Sequence, residues 1–114
     1  MKDLSITKEF YKNKDMGLKK KAEVMLNLSK KTKKIFNGYK VKGYLFGSIV
    51  SGKVDEKSDY DFYIEGLKEP LHFFKIHNEL ESILRTKVDL LTEKEVSEYF
   101  KKKIKEEGIL INEE

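Results

Sequence analysis

Residues 43–66, GYLFGSIVSGKVDEKSDYDFYIEG, constrain the fold more than any other part of the chain. They read as an apolar strand, a turn beginning at Gly47, and a second strand carrying Asp59 and Asp61. On a strand, alternate residues share a face and stand about 6–7 Å apart. Asp59, Asp61 and Tyr63 should therefore face one way, opposite to the residues between them. Two such close carboxylates repel unless something positive lies between them, so the segment predicts a site for a cation.

Helical and strand patterns alternate on both sides of this unit. Apolar residues at three-to-four spacing predict helices, and short apolar runs predict strands. The predicted helices cover residues 18–37, residues 70–86, opened by the only proline, Pro70, and a stretch from a Thr92–Glu95 capping box to about Glu107, ended by Gly108. The predicted strands cover residues 41–46, 58–66, 86–92 and a short final segment at 109–112. This order predicts an α/β (α+β) fold in which helices flank a small mixed sheet, mostly on one face.

The length of 114 residues suits one domain, residues 1–114, in which residues 1–29 form an N-terminal helical extension of uncertain role. The absence of cysteine excludes disulfides and thiolate metal sites, and it fits a cytoplasmic protein. The first residues lack the apolar core of a signal peptide, and no apolar run approaches the length of a membrane span. We therefore expect a cytoplasmic protein without a membrane segment.

The charge is distributed unevenly along the chain. Residues 1–42 carry 13 lysines and 4 acidic residues, a net +9, whereas residues 43–114 carry 11 basic and 16 acidic residues, a net −5. A basic half could contact nucleic acid or an acidic partner, but lysines at helical spacing more often form a solvated face. Arg85 is the only arginine, which argues against specific reading of bases.

Two phosphate-binding motifs compete for the segment after Gly47. GSIVSGKV, residues 47–54, nearly matches a P-loop, but Val54 stands where that motif needs a hydroxyl for Mg²⁺. A P-loop also opens a long helix, whereas turn-forming residues follow here at once. The P-loop is therefore rejected.

The second motif is Gly47-Ser48, ten residues, and then Asp59-x-Asp61, with Gly52 inside the interval. In this motif the chain resembles the DNA polymerase beta-like nucleotidyltransferases, and over residues 30–114 it is similar to the minimal nucleotidyltransferases. The resemblance assigns catalysis and metal binding to Asp59, Asp61 and Asp89. It assigns binding of the nucleotide to Gly47, Ser48, Lys53 and Ser58. The family often has an arginine near position 51, which this chain lacks, and Lys53 is the candidate replacement.

The chemistry of these residue types is consistent with that resemblance. Three converging carboxylates suit hard divalent cations, above all Mg²⁺, and two such ions could hold the substrate ATP. A glycine at position 47 allows the backbone to approach a triphosphate, which the following amides and the Ser48 hydroxyl could bind. His72 and His77 lack the partner spacing of metal ligands. Tyr60 and Tyr99 are expected in the core or at its rim.

The resemblance also implies a reaction and a partner. Minimal nucleotidyltransferases are often paired with a helical HEPN-type protein, a toxic ribonuclease in several pairs, and transfer AMP from ATP to one of its tyrosines. The implied function is therefore an antitoxin that modifies its toxin. Two alternatives stay open: a non-catalytic subunit that masks a partner, and a nucleic-acid-binding module that uses the basic half. The intact acidic residues weigh against the first alternative, and the scarcity of arginine weighs against the second.

Overall fold

The structure, a computed structural model, describes residues 14–55 and 59–112. Its helices are α1 (Lys14–Ser29), α2 (Lys33–Gly38), α3 (Ser48–Ser51), α4 (Pro70–Leu84) and α5 (Glu98–Glu107). Its strands are β1 (Lys42–Phe46), β2 (Tyr60–Glu65), β3 (Val88–Thr92) and β4 (Ile109–Leu110). The predicted order of helices and strands is confirmed, and the four-residue helix α3 is an addition to it. None of the described helices has the length and apolar character needed to cross a membrane.

The four strands form one mixed sheet in the order β3-β2-β1-β4. β1 pairs antiparallel with β2 and with β4, whereas β2 and β3 run parallel. Parallel neighbours need a crossover connection, and α4 supplies it between β2 and β3. The register places Asp61 of β2 opposite Phe46 of β1 on one side and opposite Asp89 of β3 on the other.

Both faces of the sheet are covered. The larger core lies under α1, α2 and α4, where Phe36, Phe62 and Ile76 are fully buried. On the opposite face, α5 packs Ile104 against Tyr44 and Tyr63. Among the described helices, α1 to α4 lie on one face, as expected, while α5 covers the face that carries Asp61 and Tyr63.

The predicted helix over residues 18–37 is interrupted in the structure by a 3₁₀ turn at Lys30–Thr32. Two buried hydroxyls explain the change. The Ser29 hydroxyl donates to the Leu26 carbonyl, and the Thr32 hydroxyl donates to the Ser29 carbonyl, both at 2.6 Å. Side chains of this type compete with the backbone for hydrogen bonds and so tighten or bend a helix.

The Thr92–Glu95 capping box closes a turn and does not start a helix, which corrects the prediction. The Glu95 carboxylate accepts from the Thr92 amide at 2.8 Å and from its hydroxyl at 3.0 Å, while the Glu95 amide donates back to the Thr92 carbonyl. The helix begins at Glu98 because Ser97 caps it, accepting from the Phe100 amide at 3.1 Å. The end of α4 also differs, since Arg85 takes the left-handed conformation (φ 55°) directly after Leu84.

Tyr60 is buried in the core, as expected, whereas Tyr99 is exposed over 77% of its surface. Among the described residues, the Tyr60 hydroxyl has no hydrogen-bond partner, although it is inaccessible to solvent. An unpaired buried hydroxyl destabilises the folded state. The Tyr63 hydroxyl, by contrast, donates to Glu65 at 3.1 Å.

Tyr60→Phe should therefore raise the free energy of unfolding by about 1 kcal/mol, because it removes an unpaired polar atom and keeps the ring. The matched change Tyr63→Phe should lower it by about 1 kcal/mol, because it removes a formed hydrogen bond. Urea unfolding of both variants and the parent measures the two differences. Equal effects at the two positions would contradict the difference in hydrogen bonding.

Candidate active site

The turn after β1 is built on Gly47, which has φ 86° and ψ −153°. Residues with a side chain rarely adopt this conformation. The Gly47 carbonyl accepts from the Val50 and Ser51 amides at 3.1 and 3.0 Å, which starts the short helix α3. Ser48 is the first residue of α3, and Gly52, with φ 80°, ends it. The sequence-predicted turn is thus a glycine-framed, four-residue helix.

A carboxylate lies directly against this turn. A Cβ atom added to Gly47 would collide with Oδ2 of Asp61, whereas a Cβ at Gly52 would meet open space. The sequence predicts that phosphates bind beside Gly47. In the structure, the Asp61 carboxylate lies closest to the position that a Cβ atom of residue 47 would occupy. The glycine therefore brings the backbone turn and the second acidic residue of the motif into contact.

The acidic residues predicted from the sequence interact with one another. Asp61 and Asp89 are paired residues of the parallel strands β2 and β3. Burial first, and then the charge of Asp89, a hydrogen bond to Asp89 and the charge of Asp59, together raise the pKa of the half-buried Asp61 to about 6. Asp89 is exposed and Asp59 is half-buried. The structure thus places Asp59 and Asp89 where both affect the ionisation of Asp61.

The donor set fits a hard cation by its chemistry, since all three groups offer carboxylate oxygens and repel each other without one. No set of three or more histidine, cysteine, aspartate or glutamate side chains within residues 14–55 and 59–112 is arranged to hold a metal ion. Asp61 and Asp89 are paired on neighbouring strands, and Asp59 directly precedes β2. His77 is engaged elsewhere, with Nε2 at 2.8 Å from the Val88 carbonyl.

The remaining predicted residues differ in how the structure places them. Ser48 lies beside Gly47 and its carbonyl accepts from the Lys53 amide at 3.1 Å, so Lys53 is held just beyond α3 with its side chain exposed. Ser58 lies outside the described residues. The roles of Ser48, Ser58 and Lys53 toward a nucleotide stay predictions.

A cavity of about 340 Å³ lies beside the glycine turn, between β1, α3 and α5. Its lining includes Phe46, Val50 and Phe100, with Lys103 and Glu107 from α5, and the rings of Phe46 and Phe100 meet edge to face at 5.7 Å. The sequence predicts that Phe100 and Lys103, three residues apart in the last helix, lie on one side of it. It carried no signal that this side would face Gly47, because that contact depends on how α5 crosses the sheet.

These features agree with comparisons to known proteins. The family described as Polymerase beta, Nucleotidyltransferase matches residues 30–114. This chain belongs to that family. It is a nucleotidyltransferase, as the motif Gly47-Ser48 to Asp61 predicted. A relative in Methanocaldococcus jannaschii, named a "putative protein adenylyltransferase", is 38% identical over 82 residues, which cover 69% of this chain and 95% of the relative.

Two solved structures share the fold. A chain of the crystal structure described as a toxin-antitoxin with AMP-PNP superimposes with a TM-score of 0.59 at 23% identity, over 75% of this nucleotidyltransferase and 72% of that chain. A "putative minimal nucleotidyltransferase" superimposes with a TM-score of 0.53 at 21% identity, over 83% and 93% of the two chains. The predicted fold class, a polymerase beta-like nucleotidyltransferase fold with a mixed sheet, is confirmed.

Gly47→Ala should destabilise the protein more than Gly52→Ala. Both glycines have a positive φ, but the ψ of −153° at Gly47 is essentially restricted to glycine, whereas the ψ of 7° at Gly52 is left-handed helical, so backbone strain should cost about 2–3 kcal/mol at Gly47 and about 1 kcal/mol at Gly52. Only the first adds a collision with Asp61, for which we expect about 1–2 kcal/mol more. Thermal unfolding measures the difference, and combining Gly47→Ala with Asp61→Ala should recover the collision part. Equal costs at both glycines would rule out the contact.

Asp61→Asn should stabilise the protein at pH 7 by about 1–2 kcal/mol, since it removes a half-buried charge beside Asp89. The folded state holds the Asp61 proton more tightly than the unfolded chain does. The stability that this group contributes is therefore complete below its ordinary pKa of 3.8 and is lost as the pH rises through about 6. Urea unfolding of both proteins between pH 4 and pH 8 should show a difference that increases above about pH 4 and levels off above about pH 6. A constant difference across this range would be inconsistent with the raised pKa.

Proposed function

We propose that this nucleotidyltransferase transfers AMP from ATP to a protein hydroxyl, a tyrosine of a helical HEPN-type toxin, and acts as its antitoxin. The observation that carries the proposal is the meeting of Asp61, Asp89 and the Gly47 turn at one end of the sheet. Two findings support the substrate and the partner. The Methanocaldococcus relative is named for protein adenylyl transfer, and a structure of the same fold is described as a toxin-antitoxin with AMP-PNP.

The glycine turn is the proposed place for the triphosphate. Gly47 is exposed and carries no side chain, so phosphate oxygens can approach the backbone next to the Ser48 hydroxyl. Lys53 extends from the far end of α3 with an exposed ammonium group, which can balance phosphate charge. Because Asp61 lies against the same glycine, phosphates bound here would stand beside the acidic residues.

Mg²⁺ is the cation that the proposal assigns to Asp59, Asp61 and Asp89. When bound, it would neutralise the phosphates and favour ionisation of the attacking hydroxyl. The pKa of Asp61 is raised from its ordinary value of 3.8 only to about 6, so its carboxylate is mainly ionised at neutral pH and available to a cation. Burial on β2 fixes its position, because the neighbouring Phe62 is fully buried.

Asp89 is the proposed general base. It is exposed, whereas Asp61 is half-buried, so an acceptor hydroxyl can reach it from solvent. The acceptor oxygen would form a bond to the α-phosphorus while the bond from that phosphorus to the bridging oxygen of pyrophosphate breaks. The hydroxyl proton passes to the Asp89 carboxylate, and pyrophosphate leaves with the electron pair of the broken bond. The product is a phosphodiester between AMP and the tyrosine.

Mass spectrometry of a HEPN-type partner, after incubation with the protein, ATP and Mg²⁺, should show a mass increase of one or more AMP units on a tyrosine. Asp59→Asn with Asp61→Asn should abolish transfer by at least about 1,000-fold while the protein stays folded, because the change relieves repulsion and removes cation ligands. Glu69→Gln, an exposed change outside the site, is the matched control and should transfer normally.

The masking alternative gives a different result in the same experiment. If the double aspartate variant still neutralised the toxin, and the toxin stayed unmodified with the parent protein, the protein would act by binding alone. Loss of neutralisation together with loss of AMP on the partner supports the enzymatic function.

A further inference from the structure

The helix α1 contacts the candidate active site, although it precedes residue 30, where the family match begins. It packs against α3, the short helix that follows Gly47. Met25 anchors α1 in the main core with 8% of its surface exposed, and Ala22 and Leu28 pack around that core. The helix is therefore held next to the glycine turn by apolar packing.

One polar side chain of α1 reaches the chain beyond this turn. The Lys21 ammonium donates to the Asp55 carbonyl at 2.8 Å, which joins residues 34 positions apart. Asp55 lies between α3 and β2, on the path that leads to Asp59. Val54, next to it, is buried in the main core, so residues 52–55 are held by packing at Val54 and by a hydrogen bond at Asp55.

Lys21 is also a neighbour of the first acidic residue of the motif. Lys21, Asp59, Tyr60 and Thr86 line one cavity of about 280 Å³ between α1 and the starts of β2 and β3. Asp59 directly precedes β2, so the hydrogen-bond ladder that fixes Asp61 begins only after it. Contacts from outside the sheet must therefore contribute to its position.

We propose that Lys21 is a positioning residue that fixes residues 52–55 and, from the cavity that it shares with Asp59, helps to set Asp59 beside Asp61. Hydrogen bonds from a charged donor are stronger than neutral ones and restrict the acceptor more closely. Lys21 is half-buried, and its ammonium group reaches the neighbouring segment at Asp55. The consequence for AMP transfer rests on the proposed function, whereas the effect on residues 52–55 does not.

Lys21→Met keeps the aliphatic stem and removes the donor. In hydrogen-exchange measurements on the free protein, the Lys53 amide, which donates to the Ser48 carbonyl at 3.1 Å, should exchange about five-fold faster in this variant, because residues 52–55 lose the hydrogen bond from Lys21 that restrains them. Lys21→Arg restores a donor and should return exchange to within two-fold of the parent. Lys19→Met, an exposed change on the same helix, is the matched control and should leave exchange unchanged.

The same variants separate positioning from ATP binding. With the HEPN-type acceptor, Lys21→Met should lower kcat about five-fold or more with the KM for ATP within two-fold, and Lys21→Arg should recover kcat. Unchanged exchange in Lys21→Met, an equal effect of Lys19→Met, or no recovery in Lys21→Arg would each overturn the proposal. Faster exchange in a protein that transfers no AMP would uphold the positioning role of Lys21 and refute the proposed function instead.

Discussion

The pairing of Asp61 with Asp89 across the parallel strands β2 and β3 is the constraint on which the rest of the site depends. It places two carboxylates side by side, and a half-buried acid next to a second acid is electrostatically unfavourable. The raised pKa of Asp61 expresses that cost. A fold can maintain such an arrangement only if the surrounding strands are held firmly by other interactions.

β2 provides that support because it is buried on both faces. Phe62 and Ile64 lie in the main core under α1, α2 and α4, while Tyr63 lies beneath α5 on the opposite face. All three are fully buried. Apolar burial of this extent outweighs the repulsion at the end of the strand, since each large side chain contributes about 1.5–3 kcal/mol. The burial of β2 thus holds Asp61 next to Asp89 despite the repulsion between their carboxylates.

Gly47 connects β2 to the turn that follows β1. Its left-handed conformation and the absence of a side chain let the backbone lie against the Asp61 carboxylate. The turn and the acidic pair are therefore one unit, in which a change at Gly47 also disturbs Asp61. In a nucleotidyltransferase, this contact ties the proposed phosphate site to the proposed cation site through a single carboxylate.

The local features of the chain were readable in its sequence. The Asp59-x-Asp61 alternation, the glycine turn and the start of α4 at Pro70 all follow from backbone preferences within a few residues. The motif from Gly47 to Asp61 indicated the nucleotidyltransferase family, which the match over residues 30–114 shows. The resemblance to that family also selected Asp89, although no local pattern distinguished it from the other acidic residues of its half.

Contacts between distant segments required the folded chain. Three contacts join residues that are far apart in sequence. Asp61 pairs with Asp89, Asp61 lies against Gly47, and Lys21 donates to the Asp55 carbonyl. The Thr92–Glu95 capping box shows that a local motif can form without starting the predicted helix. Its hydrogen bonds close a turn, and the helix begins only after Ser97. Local patterns specify which face a residue occupies and where a helix can begin. Strand register and helix crossing set which faces meet, and these depend on packing over the whole chain.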